Sequence, residues 1–308
     1  MRFLILTAAF LLAGAGPGHS AAVADHRADV SVAVPAFPKD TGPLVAIDGG
    51  HGNYHTIEGR FAPFAKLLSN DGFRVMPITG PFAAEALTGV TILVIANALN
   101  PVNATQWSLP TPSAFTSDEI AAVKDFVERG GSLLLIADHM PFAGAAADLA
   151  KAFEVTFFNG FAFRMPEPRT VDFFLQADGT LGHDLITLGR TAQSNVSRIG
   201  TFAGSAFRAP ETARKLLILP NDFQVIMPQT AWVFTPETPR VPGGGMLQGA
   251  ALLRGRGRLA VFGEAGMFTA QVDDADPNVR LGFTVPGAEH NKQFVLNISH
   301  WLAGLLGP

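Results

Sequence analysis

The stretch Gly130–Phe153, GGSLLLIADHMPFAGAAADLAKAF, decides how the chain is read. Leu133–Ala137 is an unbroken apolar run, bounded by Gly130-Gly131 before it and by the polar pair Asp138-His139 after it. A run this short reads as a strand buried on both faces, and the small residues that follow read as a helix. Asp138 and His139 are thereby expected on a sharp turn at the carboxyl edge of a sheet, where open α/β folds hold their ligands.

The same grammar recurs on both sides of this stretch. Leu44–Asp48 is an apolar run stopped by Gly49-Gly50, and Phe73–Ile78 and Thr91–Ala96 read as two further strands. Glu58–Asn70 carries Phe61, Phe64, Ala65 and Leu68 at helical spacing. Helix 117–129 has a Thr116-x-x-Glu119 capping box and an apolar stripe of Ile120, Val123, Phe126 and Val127. Strands alternating with helices predict an α/β fold, a parallel sheet covered by helices on both faces. Beyond residue 155 the pattern shifts to short strand candidates at Val155–Phe163, Val171–Leu175, Lys215–Leu219, Gln224–Met227 and Ala231–Phe234, a β-rich insertion at about 160–240. Met246–Leu253 and Arg258–Phe262 then read as a hairpin, and 290–306 as a closing helix.

The first residues carry Arg2, an apolar run from Phe3 to Ala13 and a small-residue end at Ala22-Val23-Ala24. This reads as a secretory leader, residues 1–24, cut before Asp25 and too short in its apolar part for stable membrane insertion. Residues 25–42 are a polar, Pro-bearing lead-in, and 43–308 form the α/β domain. The expected location is periplasmic or secreted. A chain of 308 residues with 48% hydrophobic and 16% charged residues can bury a substantial core. A net charge of −4 without a basic run excludes nucleic acid as an expected partner. With no Cys there is no disulfide framework, no lipid-anchor Cys and no thiol nucleophile. No G-x-S-x-G elbow occurs, and Val241-Pro-Gly-Gly-Gly245 lacks the following Lys of a phosphate loop, so no nucleotide cofactor is expected.

The order of elements over residues 43–160 and 246–306 resembles the class I glutamine amidotransferase-like superfamily, whose sheet is flavodoxin-like. In that superfamily the elbow after a strand such as Ser132–Ala137 carries the nucleophile, and Asp138-His139 stands there instead of Cys. The resemblance therefore implies a fold without glutaminase chemistry. Asp48-Gly-Gly-His51-Gly-Asn-Tyr-His55 is similar to the His-bearing turn of the ThuA-like branch. Asn291, Phe294, Asn297 and Trp301-Leu302 look like the closing pattern of the non-enzymatic branch found in gliding-motility and intraflagellar-transport proteins. Ile47–Gly52 also looks like the first ligand motif of zinc N-acetylmuramoyl-alanine amidases, but no second His follows a later strand as that motif requires.

Titratable residues at expected strand ends supply the candidate site. His139, Asp138 and Glu264 are candidates for acid-base catalysis, each directly after an apolar strand. His51, His55, Asp48 and His290 form a candidate ligand set for a divalent metal, zinc foremost, since neutral imidazoles and a carboxylate suit that ion. Asn53, Tyr54, Asn97 and Asn291 are candidates for substrate binding. A hydrolase acting on a sugar derivative, amide or ester is expected, with metal-bound water as the nucleophile or, without metal, with His139 as general base oriented by Asp138 or Asp48. The alternative is a non-catalytic module of the same fold that binds a glycan, peptide or protein. Oligomeric state is not legible in the sequence.

Overall fold

The structure is a computed structural model and describes residues 22–307. The apolar run Phe3–Ala13 of the expected leader lies outside the described residues. Five strands form a parallel half-sheet in the order Arg74–Ile78, Leu44–Asp48, Ile92–Ala96, Ser132–Ile136, Gly257–Phe262. In chain order that is 2-1-3-4-5. Four more strands extend the same sheet antiparallel: Leu247–Arg254 beside Gly257–Phe262, then Ala206–Arg208 and Thr156–Phe158, with Arg214–Ile218 also on Leu247–Arg254. The expected parallel arrangement thus holds for one half of a mixed sheet, whose antiparallel half begins at the hairpin expected from Met246–Leu253 and Arg258–Phe262. That hairpin, turning at Arg254–Gly257, returns the chain antiparallel beside the last parallel strand and opens an edge for strands from the middle of the sequence.

The parallel strands are buried on both faces, and alternate side chains feed two cores. Val45, Ile47, Val94, Leu134, Ile136 and Phe262 pack on one face with helix Ala62–Asn70 and helix His290–Leu302, whose Phe294 and Trp301 are fully buried. Ala46, Leu93, Ile95, Leu133, Leu135 and Val261 pack on the other with helix Ser117–Glu128 and the segment Ala143–Phe153. The capping box at Thr116 and Glu119 forms as read. Segment 143–153 is not one helix but two short ones, Phe142–Ala145 and Ala147–Lys151. His300 bonds Asp71 through Nε2 at 2.6 Å and ties the last helix to the end of the first.

Two smaller sheets occupy the middle of the chain: Arg240–Pro242, Phe223–Ile226 and Phe161–Arg164, and the pair Asp172–Leu175 with Arg198–Thr201. Ala231–Phe234, expected as a strand, is a turn in which Trp232 has φ 67°. A third small sheet contains a strand that the sequence reading had assigned to the leader. Ala22–Ala24 pairs antiparallel with Ala270–Asp273, which in turn pairs with Arg280–Gly282.

Candidate active site

Three parallel strands end beside one another, and the residues that follow them converge. The register sets Ala96 opposite Ile136 and Ile136 opposite Phe262, so Asn97, Asp138 and Glu264 leave the sheet along one edge. Asn97 has a left-handed backbone, φ 62°, a conformation that Asn tolerates better than most residues. That turn lets one amide serve two neighbours. Its Oδ1 accepts the Asp138 backbone N–H at 2.9 Å, and its Nδ2 donates to His55 Nδ1 at 3.2 Å. His55 thereby carries its proton on Nε2 when neutral. The backbone of Tyr54 and His55 is pinned to the same strand end, donating to Asn97 and Ala96 carbonyls.

Around these ends lies a cleft enclosing about 60 Å³, lined by Tyr54, His55, Arg60, Asn97, Trp107, Asp138, His139, Phe142, Glu264 and Gln271 among others. That volume takes a few waters or one small substrate group. His139 donates from Nδ1 to the Met140 carbonyl at 2.7 Å, which leaves Nε2 as the basic nitrogen. Its ring stacks on Phe161 at 4.6 Å and meets the edge of Trp232 at 4.8 Å. Burial lowers the His139 pKa against the opposing charge of Asp138, so the imidazole is neutral. His55 is pushed down further, by burial first and then by Arg60 and His139.

Glu264 is 1% exposed. Burial first, and the Asp138 charge second, raise its carboxyl well above the usual carboxylate range. Backbone N–H groups of Gly266 at 2.5 Å and Met267 at 2.8 Å bond its two oxygens and oppose that rise without cancelling it. Asp138 accepts the His139 N–H at 2.7 Å through Oδ1, and its Oδ2 lies 3.4 Å from the Ala265 N–H, next to Glu264. Arg60 lies over the Tyr54 ring, 3.9 Å from its centroid, and donates to the phenol oxygen at 3.1 Å. The cleft therefore combines a carboxyl whose hold on its proton is strengthened by burial, a neutral imidazole with a basic Nε2, and the Arg60 guanidinium.

The expected metal set is not brought together, and this corrects the sequence reading. His51 bonds Asp48 through Nδ1 at 2.9 Å and Glu119 through Nε2 at 2.8 Å, so neither nitrogen has a lone pair free for a metal. Asp48 also accepts from Gly50 and Asn53. His290 lies at the exposed start of the last helix and faces the Ser197 N–H at 3.4 Å, while His55 belongs to the cleft. Among the described residues no three His, Asp or Glu side chains are disposed to hold a metal ion. Two of the expected substrate-binding residues are likewise occupied. Asn53 bridges Asp48 and the Ala96 N–H, and the fully buried Asn291 bonds both backbone groups of Gly200.

Six of the sequence candidates do line the cleft: Tyr54, His55, Asn97, Asp138, His139 and Glu264. Arg60 and Trp107 were not foreseen. Arg60 is placed by its carbonyl, which accepts the Thr269 hydroxyl at 2.7 Å from a distant loop. Trp107 belongs to the connection between strand Ile92–Ala96 and helix Ser117–Glu128 and meets the Tyr54 ring edge at 5.5 Å.

No family model matches the chain, and no curated protein is a significant match. Solved structures do resemble it. The mmIFT52 N-terminal domain aligns with a TM-score of 0.57 at 16% identity, covering 84% of this chain and 97% of that one. A ThuA-like protein from Bacteroides uniformis aligns with a TM-score of 0.46 at 13% identity, over 87% and 94% of the two chains. A ThuA-like protein from Parabacteroides merdae aligns at 0.45 and 10%, over 85% and 89%. The likeness to the mmIFT52 domain is one of fold alone.

Proposed function

We propose that the chain is an exported acid-base hydrolase whose reaction takes place between Glu264, Asp138 and His139, on a flavodoxin-like parallel half-sheet. The observation that carries this reading is Glu264, a buried carboxyl raised by burial and by the Asp138 charge at the end of a parallel strand. A buried group in a cleft, perturbed by desolvation and by a named charged neighbour, is a candidate for chemistry. In this scheme His139 Nε2 takes a proton from water as the water oxygen bonds to the substrate carbon. The bond to the leaving group breaks, and Glu264 supplies the proton that the leaving group needs. Arg60 and the His55 Nε2–H bind an anionic or carbonyl oxygen of the substrate. A sugar derivative, amide or ester supplies such a carbon and such an oxygen, and the narrow cleft suits one small group of it.

A screen of chromogenic esters, amides and glycosides tests this, comparing the purified protein with Asp138→Asn and His139→Ala. Turnover that both variants lose supports the hydrolase. One observation favours a second reading, a binding module: both Glu264 oxygens are engaged by backbone N–H groups, as in a carboxylate that only caps a turn. Under that reading small ligands shift the melting temperature and no substrate turns over.

A further inference from the structure

The strand Ala22–Ala24 is an integral part of the cleft wall. Ala22 lines the cleft beside Gln271 and Leu281, which lie on the two strands that continue this sheet. All three residues are in register, Ala22 with Asp273, Val23 with Val272 and Ala24 with Gln271. The next residue continues the ladder, with the Asp25 N–H donating to the Ala270 carbonyl at 2.9 Å. Asp25 is only 6% exposed.

A cut before Asp25 removes this strand. It strips the pairing groups from Ala270–Asp273 and turns the Asp25 amide into a charged ammonium at a buried ladder position, where desolvation penalises it. The sequence contains another small-x-small end four residues earlier, Gly18-His19-Ser20, with Ala21 after it. A cut after Ala22, at Ser20-Ala21-Ala22, removes the residue that lines the cleft.

We infer that the leader is removed between Ser20 and Ala21, so that Ala22–Ala24 stays in the mature protein as the outer strand of the cleft wall. This rests on the reading of the chain as exported. The step is an ordinary peptide hydrolysis by a leader peptidase. Water adds across the Ser20–Ala21 bond, leaving a carboxylate on Ser20 and a free α-amino group on Ala21.

The test is intact mass and N-terminal sequencing of the full-length gene product recovered from the periplasm of a bacterial host. Ala21 as first residue is the expected result, and Val23 or Asp25 overturns the inference. A chain that retains Met1 overturns the export reading as well, and neither result depends on hydrolase activity. Two variants separate the cut sites. Ser20→Leu is expected to accumulate unprocessed precursor, whereas Ala24→Val, a β-branched residue in a half-buried strand, is expected to be processed as the parent is. The reverse pattern overturns the proposal.

Discussion

Two His-carboxylate clusters stand at strand ends in this molecule, and they have opposite electrostatic states. At Asp48, His51 and Glu119 every charge has a partner: the imidazole bridges two carboxylates and packs against Phe82 and Phe115. Burial disfavours the charge on His51, but the bonds and charges of Asp48 and Glu119 outweigh it and raise the His51 pKa. Glu119 is also opposed by burial, yet His51 and the Thr116 cap draw it down to about 2. At Asp138, His139 and Glu264 the shifts run the other way, toward a neutral imidazole and a protonated carboxyl. The first cluster binds its proton as a salt bridge does, whereas in the second His139 and Glu264 are held by backbone groups rather than by each other. The residue types are the same in both, so what separates a brace from a reactive site is whether the imidazole and the carboxyls bond one another.

The largest expected effect breaks the second cluster. Asp138→Asn or His139→Ala should lower turnover on whichever substrate the screen finds by about 10²–10⁴-fold, the usual contribution of a positioned acid or base. A parallel loss of turnover in His51→Asn without unfolding would collapse the distinction between the clusters. His51 is the next test. Asn tolerates its left-handed backbone, φ 46°, but cannot span from Asp48 to Glu119. Removing one partner of a buried charge network should cost about 3–5 kcal/mol, read as a drop in the urea midpoint. Its pH dependence carries a sign. The raised His51 pKa contributes stability that is fully present below about 6.5 and is lost as pH rises through the folded value. The lowered Glu119 pKa contributes stability present above about 4.5 and lost as pH falls toward about 2. The brace is therefore strongest between about pH 4.5 and 6.5, and the variant should lose that maximum.

The strand-turn-helix order around Asp138 was legible because an apolar run of five residues between a Gly pair and a polar pair has few other readings. The Thr116 cap was legible because its two halves are three residues apart. His51 was misread for the complementary reason. Asp48 is visible three residues before it, but Glu119 lies 68 residues away and is delivered by the first turn of another helix. Arg60 and Trp107 stayed hidden because loop-to-loop contacts, not periodicity, aim them. The antiparallel half of the sheet was legible at its hairpin, 246–253 with 258–262, but not in its strand order. Ala206–Arg208 finds its partners at Phe158 and Leu247, and no local pattern encodes that choice.

A smaller effect sharpens how the cleft is held. Asn97→Gly keeps the left-handed backbone but removes the acceptor of the Asp138 N–H and the donor to His55, both buried. Unfolding should cost about 1–3 kcal/mol less than in the parent, the penalty of stranded polar groups. Asn97→Ala adds a Cβ at φ 62° and should fall about 1 kcal/mol below the Gly variant. Equal stabilities for the two would mean that the backbone there relaxes freely, and with it the alignment of Asp138.

The subtlest test concerns the slope of stability with pH. A carboxyl whose pKa is raised on folding binds more protons in the native state than in the unfolded one. Glu264 therefore reduces stability as pH climbs from the ordinary glutamate value of about 4.3 through its folded value, opposite to Glu119. Glu264→Gln keeps the shape, cannot ionise, and keeps one oxygen to accept from Gly266 or Met267. The variant should be less stable than the parent near pH 4, where the parent carboxyl is protonated in both states and keeps its bonds. It should gain on the parent steadily toward pH 8. Urea midpoints across that range decide the matter. A difference between variant and parent that stays flat with pH would mean that the backbone N–H bonds hold Glu264 ionised after all, making it a cap like Glu119 and leaving the cleft without its acid.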